Sequence, residues 1–339
     1  MGVQLGELVR AESIELRALS GRRIAIDAFN TLYQFITTIR QRGGEPLRDS
    51  KGRITSHLSG LLYRNSNLLE LGILPVYVFD GTPPEQKRAT VAERDVRRSE
   101  AEAEWAMALQ AGDLELAKTK AMQAARLSSE VIEESRRLLE LLGLPCVDAP
   151  AEGEAQAAYM ASKGDVYAAA SQDYDSLLFG SPRLVRNLTL SGRRKLPGRR
   201  EYTDITPELV RLEAVLERLE LSREQLIDLA ILVGTDYNPG GVPGVGPKRA
   251  LSLIKKHGSA DRAIEAEGLK ADFSVEELRE LFLRHPVTEH YTLRWVAPDR
   301  EGVLRFLCDE HDFSRERVEK ALEKMTPRST QRSLDAWFS

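Results

Sequence analysis

Cysteine is nearly missing from this chain: two occur in 339 residues, Cys146 and Cys308, far apart and in no metal-ligand spacing. That excludes a disulfide framework and leads us to expect a reduced, intracellular protein. Long apolar runs are missing too, with no stretch approaching the roughly 18 residues of a membrane span. The opening MGVQLGELVR lacks the basic-then-apolar pattern of a secretory signal, and Gly6 stands where an N-myristoylation site needs Ser or Thr. No membrane partner is expected. An overall excess of basic charge is also absent, the formal net charge being −4. Spread evenly, that charge would argue against a polyanionic partner. It is not spread evenly: Arg183, Arg186, Arg193, Arg194, Lys195, Arg199 and Arg200 fall within 183–200 without one acid. A local patch of this kind suits a polyanion whatever the net charge, although alone it reads equally well as a solvated loop.

What the chain does have is an alternation. RRIAIDAF (22–29), LPVYVFDG (74–81), LPCVDAP (144–150) and VYAAAS (166–171) are short apolar runs separated by helical patterns. They predict an α/β fold, a three-layer α/β/α arrangement around a central, mostly parallel sheet. With 42% apolar residues the chain is long enough for a full core. In such sheets ligands sit beyond the carboxyl ends of the strands, and here each run leads into acid. The first reaches Asp27 and the second Asp80; the third leads to Glu152 and Glu154, the fourth to Asp173 and Asp175. Burying an unpaired carboxylate is expensive, so such groups are paired, neutralised or bound to metal. Two like charges about 4 Å apart repel by roughly 4 kcal/mol at an effective dielectric of 20. Six acids at one sheet edge therefore predict a shared acidic site that needs cations or protons. Their i, i+2 spacing suits strand ends or a loop entering a helix, not one helix face. Any one of them alone reads as a cap or a surface charge.

Three further segments stand out. Residues 85–142 form a long helical insert whose first part, KRATVAERDVRRSEAEAEWAMALQ, is polar nearly all round, as in a helix that bridges solvent or meets a polar partner. Gly112-Asp113 breaks it. Val131, Ile132, Ser135, Leu138, Leu139 and Leu142 then keep helical spacing until Gly143 and Pro145. The insert should be partly docked and partly projecting. Within a mostly helical region at 206–286 lies GTDYNPGGVPGVGPKRALSLIKKHG (234–258). Its glycines permit a tight turn, Lys248 and Arg249 open a helix after Pro247, and a helix N-terminus binds phosphate well. The pattern resembles the helix–hairpin–helix DNA-backbone clamp, with Gly244 and Gly246 in the turn; without a ligand it is a plain helical connection. The tail TPRSTQRSLDAWFS is polar until Leu334 and then presents Trp337 and Phe338, apolar groups suited to docking back or to binding a partner.

AIDAFNTLYQF, VYVFDGTPPEQK, DAPAEGEAQAAY, AAASQDYDSLLFG and GTDYNPGGVPGVGPKRA follow one another in the order found in the flap endonucleases, structure-specific 5′-nucleases of DNA replication and repair. The resemblance covers essentially the whole chain, and the compact length resembles an archaeal member. It implies an intracellular enzyme of cytoplasm or nucleoid, acting as a monomer on branched DNA with a 5′ flap. It implies that Asp27, Asp80, Glu152, Glu154, Asp173, Asp175 and Asp236 hold two Mg²⁺ ions, with Mn²⁺ as substitute. Asp236 is the one acid that the strand-end reading does not supply. Lys87 and Arg94 match two basic residues at the base of a helical arch; seven apart, they share a helix face about two turns long. Tyr33 matches an aromatic that stacks on the nucleotide near the cut. Gly244, Gly246, Lys248 and Arg249, with Arg193, Arg194 and Lys195 of the basic segment, are expected to bind DNA. The resemblance also implies a monovalent cation, K⁺, at the hairpin. Its carbonyl ligands stay unassigned, because Pro239, Gly240 and Gly241 depart from other branches of the family. Gln331, Leu334, Trp337 and Phe338 match the box that binds the sliding clamp. The expected organisation is a single nuclease domain over 1–326, with the arch at about 85–130 and the hairpin region at about 220–258, then a flexible clamp-binding tail over 327–339.

Two other readings compete. DYDSLLF after a strand mimics the D-x-D-x-[TSV] loop of haloacid-dehalogenase-like phosphatases, with Asp173 as nucleophile, but leaves the hairpin, basic segment and tail unexplained. A catalytically dead scaffold tethered to the clamp is at odds with an intact acid set.

Overall fold

The computed structural model describes residues 3–41, 45–189, 193–195 and 202–325. Its strands are β1 (Glu12–Ser13), β2 (Arg23–Asp27), β3 (Leu74–Phe79), β4 (Cys146–Asp148), β5 (Ala168–Ala170), β6 (Arg183–Arg186), β7 (Arg193–Lys195), β8 (Tyr202–Asp204) and β9 (Glu208–Arg211). Seven form one sheet in the order β1-β9-β6-β5-β2-β3-β4. The pairings β2/β3, β2/β5, β3/β4 and β5/β6 are parallel, while β9 joins β6 and β1 antiparallel. The four apolar runs of the sequence are thus β2 to β5, side by side in the order β5-β2-β3-β4, with β4 at the sheet edge. Successive side chains point to opposite faces of a strand, and here both faces are apolar. Ile24, Ile26, Tyr77 and Phe79 enter one core, and Ala25, Val76 and Val78 enter the other.

Helices cover both faces. On one lie α1 (Ala28–Thr38) and α2 (Ser56–Glu70). Next along the chain, α3 (Arg88–Gln110) and α4 (Leu114–Gln123) pair into the projecting insert, and α5 (Ser129–Leu141) returns to the α1/α2 face. The break at Gly112-Asp113 is where expected: Gly112 has φ of 74° and Asp113 caps α4. Ala101, Ala108, Ala117 and Ala121 are buried where α3 meets α4, small residues that let the two helices approach. The opposite face carries α6 (Gly153–Lys163) and an extended strap at 286–299, with Tyr291, Leu293 and Trp295 packed on the sheet core. The Trp295 indole N–H donates to the Pro75 carbonyl at 2.8 Å.

A second, mostly helical core is built from α7 (Asp175–Leu178), α8 (Leu212–Leu219), α9 (Arg223–Val233), α10 (Pro247–His257), α11 (Ala260–Ala266) and α12 (Val275–Leu283). It continues into the sheet through Leu184 and Val210 of β6 and β9. After it, α13 (Arg300–Leu304) and α14 (Arg315–Met325) rejoin the α2 face. No described helix is long and apolar enough to cross a membrane.

The basic segment at 183–200 is a correction to the sequence reading, which took it as one loop. Arg183–Arg186 is β6, inside the main sheet. Arg183 lies over the Tyr167 ring at 4.6 Å and Arg186 over the Tyr174 ring at 4.5 Å, and Arg186 pairs with Glu208 at 3.0 Å. These two cations are committed to the fold. Arg193, Arg194 and Lys195 form β7, paired antiparallel with β8 in a separate two-stranded ribbon.

Candidate active site

The acids read from the sequence sit where the parallel strands end. Asp27 closes β2 and caps α1, its carboxylate accepting from the Asn30 N–H at 3.0 Å. Asp80 follows β3 and accepts from the Gly153 N–H at 2.7 Å. A Cβ at Gly153 would stand 2.7 Å from that same Asp80 oxygen, so any larger residue there would displace the Asp80 carboxylate. Glu152 is the N-cap position of α6 and Glu154 lies in its first turn. Ser171 donates to Glu154. Asp173 precedes α7 and Asp175 opens it. Asn30 Nδ2 donates to Asp173 at 3.1 Å, and the Val3 N–H donates to Asp175 at 2.8 Å. The i, i+2 pairs are therefore loop-to-helix entries, as their spacing required.

The seventh acid joins two parts of the molecule. Asp236 lies between α9 and the hairpin. Its carboxylate takes Arg94 Nη2 at 2.6 Å and stands 3.5 Å from Lys87 Nζ. Its carbonyl accepts the Thr90 hydroxyl at 2.6 Å. Lys87 also donates to both oxygens of Glu152 at 2.8 Å. One foot of the α3/α4 insert is thus pinned across the acids to the hairpin. The other docks near α1, where Arg40 Nη2 donates to the Ala121 carbonyl at 3.0 Å. Between the feet, Arg98 lies 5.7 Å over the ring of Tyr33, which is half-buried on α1.

The electrostatics are those of a crowded acid site. Burial, then the charges of Asp80 and Asp173, push the Asp27 carboxyl well above its ordinary value. Burial, then Asp175, Asp27 and Asp173, do the same to Glu154. Asp175 is raised to about 7 by burial and by Asp236, and Asp80 to about 6 by burial and by Glu152. Asp80 nonetheless keeps an exposed surface. Burial alone would depress the Lys87 ammonium; Glu152 and Asp236 reverse that and raise it. Such opposed shifts mark groups that favour an added cation or proton.

All seven donors are carboxylates, the set that hard divalent cations prefer. Among the described residues no three of them stand close enough to grip one ion unaided. Lys87 instead fills part of the space between Glu152 and Asp236. The donor chemistry and the raised carboxyls fit Mg²⁺ or Mn²⁺, because Mg²⁺ retains several waters and does not need a closed protein cage.

Beyond the acids, the hairpin turns at Gly244, with φ of 76°, and Gly246 occupies the N-cap position of α10, followed by Pro247. Arg249 Nη1 closes the turn by donating to the Gly244 carbonyl at 3.1 Å. The Lys248 side chain is 84% exposed, 3.7 Å from Glu7, and available to a partner. The backbone of Arg193–Lys195 is in the β7/β8 ribbon. Gln331, Leu334, Trp337 and Phe338 lie outside the described residues. The structure thus brings the seven acids, Lys87 and Arg94 together, with Tyr33 under the insert.

Sequence reasoning missed several contributors. Asn30 bridges the acids of β2 and α7 from one turn past Asp27. Gly153 was legible as the glycine between two glutamates. Thr90 stands one helical turn before Arg94, on the same face. His285 accepts the Glu152 N–H at 3.3 Å from a distant loop, and no local signal marks it.

Known proteins were then compared with the chain. A family model described as XPG N-terminal domain matches residues 1–101, and one described as XPG I-region matches residues 143–236. Flap endonuclease 1 of Archaeoglobus fulgidus is 58% identical over 339 residues, covering 100% of both chains. Flap endonuclease 1 of Thermococcus onnurineus is 55% identical over 341 residues, covering 100% of this chain and 99% of its own. The solved structure of flap endonuclease-1 from Methanococcus jannaschii is 44% identical, with a TM-score of 0.76 over 96% of this chain and 98% of that one.

Proposed function

The chain belongs to the flap endonuclease family, and from that premise we propose how its own residues carry the reaction. It is a structure-specific 5′-flap endonuclease, hydrolysing a DNA phosphodiester near the junction of single strand and duplex in Okazaki-fragment maturation and DNA repair. To this we add 5′–3′ exonuclease activity. Asp27, Asp80, Glu152, Glu154, Asp173, Asp175 and Asp236 are assigned to two Mg²⁺ ions, which Mn²⁺ can replace. When bound, such ions lower the pKa of the attacking water and stabilise the leaving oxygen. Water adds to phosphorus and the P–O3′ bond breaks, leaving a 5′-phosphate and a 3′-hydroxyl.

Lys87 and Arg94 are the groups we assign to the scissile phosphate. They reach it by exchanging Glu152 and Asp236 for phosphate oxygens, and there offset the charge that develops. Tyr33 supplies a π-face to the nucleotide beside the cut. The hairpin at Gly244 and Gly246, with Lys248 and Arg249, holds the duplex backbone at the N-terminus of α10, possession of K⁺ at its carbonyls being part of the same proposal. Arg193, Arg194 and Lys195 add charge from the β7/β8 ribbon. Recognition by backbone and shape follows, because these groups address phosphates and not base edges. We assign the 327–339 segment to a sliding clamp through Gln331, Leu334, Trp337 and Phe338, and the 1–326 segment to one monomeric nuclease unit that works inside the cell.

The observation that carries this reading is the placement of acids at four strand ends, with Lys87 2.8 Å from Glu152 and Arg94 2.6 Å from Asp236. Purified protein with flap DNA and Mg²⁺ should release the flap with a 5′-phosphate on the shortened strand, and a chelator should abolish this. Cutting that persists in chelator contradicts the assignment.

A further inference from the structure

One buried polar atom beside the acids has no place in that scheme. Tyr237, next to Asp236, is 7% exposed. Its ring packs edge-on against Phe282 at 5.2 Å, and its N–H donates to the Thr235 hydroxyl at 3.1 Å. Backbone and ring are both anchored. The phenol oxygen, however, makes no hydrogen bond to any described group. A buried hydroxyl left unpaired costs about 1–3 kcal/mol, and native proteins keep few of them, often where an ion or water completes the site. Tyr237 lies within the electrostatic reach of Glu152, Asp175, Glu154 and Asp236, four of the seven acids and drawn from three separate segments. A phenol beside carboxylates serves as a donor, and the buried Oη has none of its donor capacity used.

We propose that Tyr237 is a positioning residue whose Oη–H donates to a water that in turn donates to two of the carboxylates Glu152, Glu154, Asp175 and Asp236 when divalent ions are bound. The inference rests on the metal assignment above. It accounts for two facts at once: the orphaned hydroxyl, and acids too far apart to close on one ion without intervening water. Tyr237 touches neither DNA nor the reacting phosphorus in this scheme; it acts through water on the carboxylates.

The test compares wild-type protein, Tyr237→Phe and Asp173→Ala, all full-length and free of DNA. Mn²⁺ affinity is read from the electron paramagnetic resonance of free Mn²⁺, and melting temperature is measured in chelator and in Mn²⁺. Phenylalanine keeps the ring and its packing while removing the orphan, so the Tm in chelator should equal or exceed that of wild type. Affinity for Mn²⁺ should fall about tenfold, as for loss of other groups that orient metal ligands, and the Tm gain on adding Mn²⁺ should shrink with it. Unchanged affinity with an unchanged gain overturns the role of Tyr237. A lower Tm in chelator overturns the claim that the hydroxyl lacks a partner in the metal-free fold. If wild type and Asp173→Ala are equally unable to bind Mn²⁺, the metal assignment fails, and the inference with it.

Discussion

Lys87 places its ammonium 2.8 Å from both carboxylate oxygens of Glu152 and 3.5 Å from Asp236. A group assigned to the substrate phosphate is thus held, in the DNA-free protein, by two groups assigned to metal. The same contacts fasten the foot of α3 to α6 and to the hairpin. Metal, DNA and the α3 foot are therefore linked through one cation, because whatever draws Lys87 from Glu152 also frees a carboxylate.

Lys87→Met should lower single-turnover cleavage of flap DNA by about 10²–10³-fold, the usual cost of removing a group that meets developing charge. It should also lower the metal-free Tm, because Glu152 loses its buried counterion. Mn²⁺ affinity should rise, since the competing ammonium is gone. Unchanged single-turnover cleavage removes Lys87 from the reaction.

The pH dependence has a definite sign. Asp80, near 6, and Asp175, near 7, hold protons more tightly in the fold than at their ordinary value of 3.8. Their contribution to metal-free stability is full below about pH 4 and is lost as pH rises through about 6 to 7. Bound ions need these carboxylates deprotonated, so metal binding must release protons in that window. Calorimetric titration with Mg²⁺ in two buffers of different ionisation enthalpy should show more protons released at pH 6 than at pH 8, and the Tm gain from Mg²⁺ should grow across that range. No proton release at pH 6 excludes Asp80 and Asp175 from the ion site.

Gly153→Ala tests the approach of α6 to β3. The new Cβ meets Asp80 Oδ1 at 2.7 Å, so Asp80 must move and its bond from the Gly153 N–H weakens. Mn²⁺ affinity should fall by about tenfold or more, a loss that calorimetry on the DNA-free protein measures directly. Wild-type affinity means that Asp80 can shift without consequence.

At the hairpin, Lys248→Ala should weaken duplex binding about equally on unrelated sequences and reduce the slope of log K against log salt by about 1. Fluorescence anisotropy at several salt concentrations measures both quantities. A preference that changes with base sequence contradicts backbone recognition by α10.

Much of this was legible before any coordinates. β2 to β5 announce themselves because strands buried on both faces read as continuous apolar runs, and their acids sit at the one place where apolar runs cannot continue. β6 and β9 were hidden: RLVR and ELVR each carry two inner apolar residues between charged ends, too short for any period to show. The arginines of β6 looked free because their stacking on Tyr167 and Tyr174 depends on the folded pairing of separate segments. The strap at 286–299 places Tyr291, Leu293 and Trp295 at strand spacing yet forms no strand, and what fixes it, such as Trp295 on the Pro75 carbonyl, is 220 residues away in sequence. Among the site residues, acids reveal themselves by clashing with their apolar surroundings. Asn30, Thr90, His285 and Tyr237 do not, being ordinary residues made relevant by position alone.

The most direct test of the central claim is anomalous diffraction at the manganese edge from crystals of the full chain grown with Mn²⁺. The account predicts two peaks within the ring of Asp27, Asp80, Glu152, Glu154, Asp173, Asp175 and Asp236, and their loss in Asp173→Ala crystals treated alike. Strong peaks elsewhere, with none among these carboxylates, would contradict it.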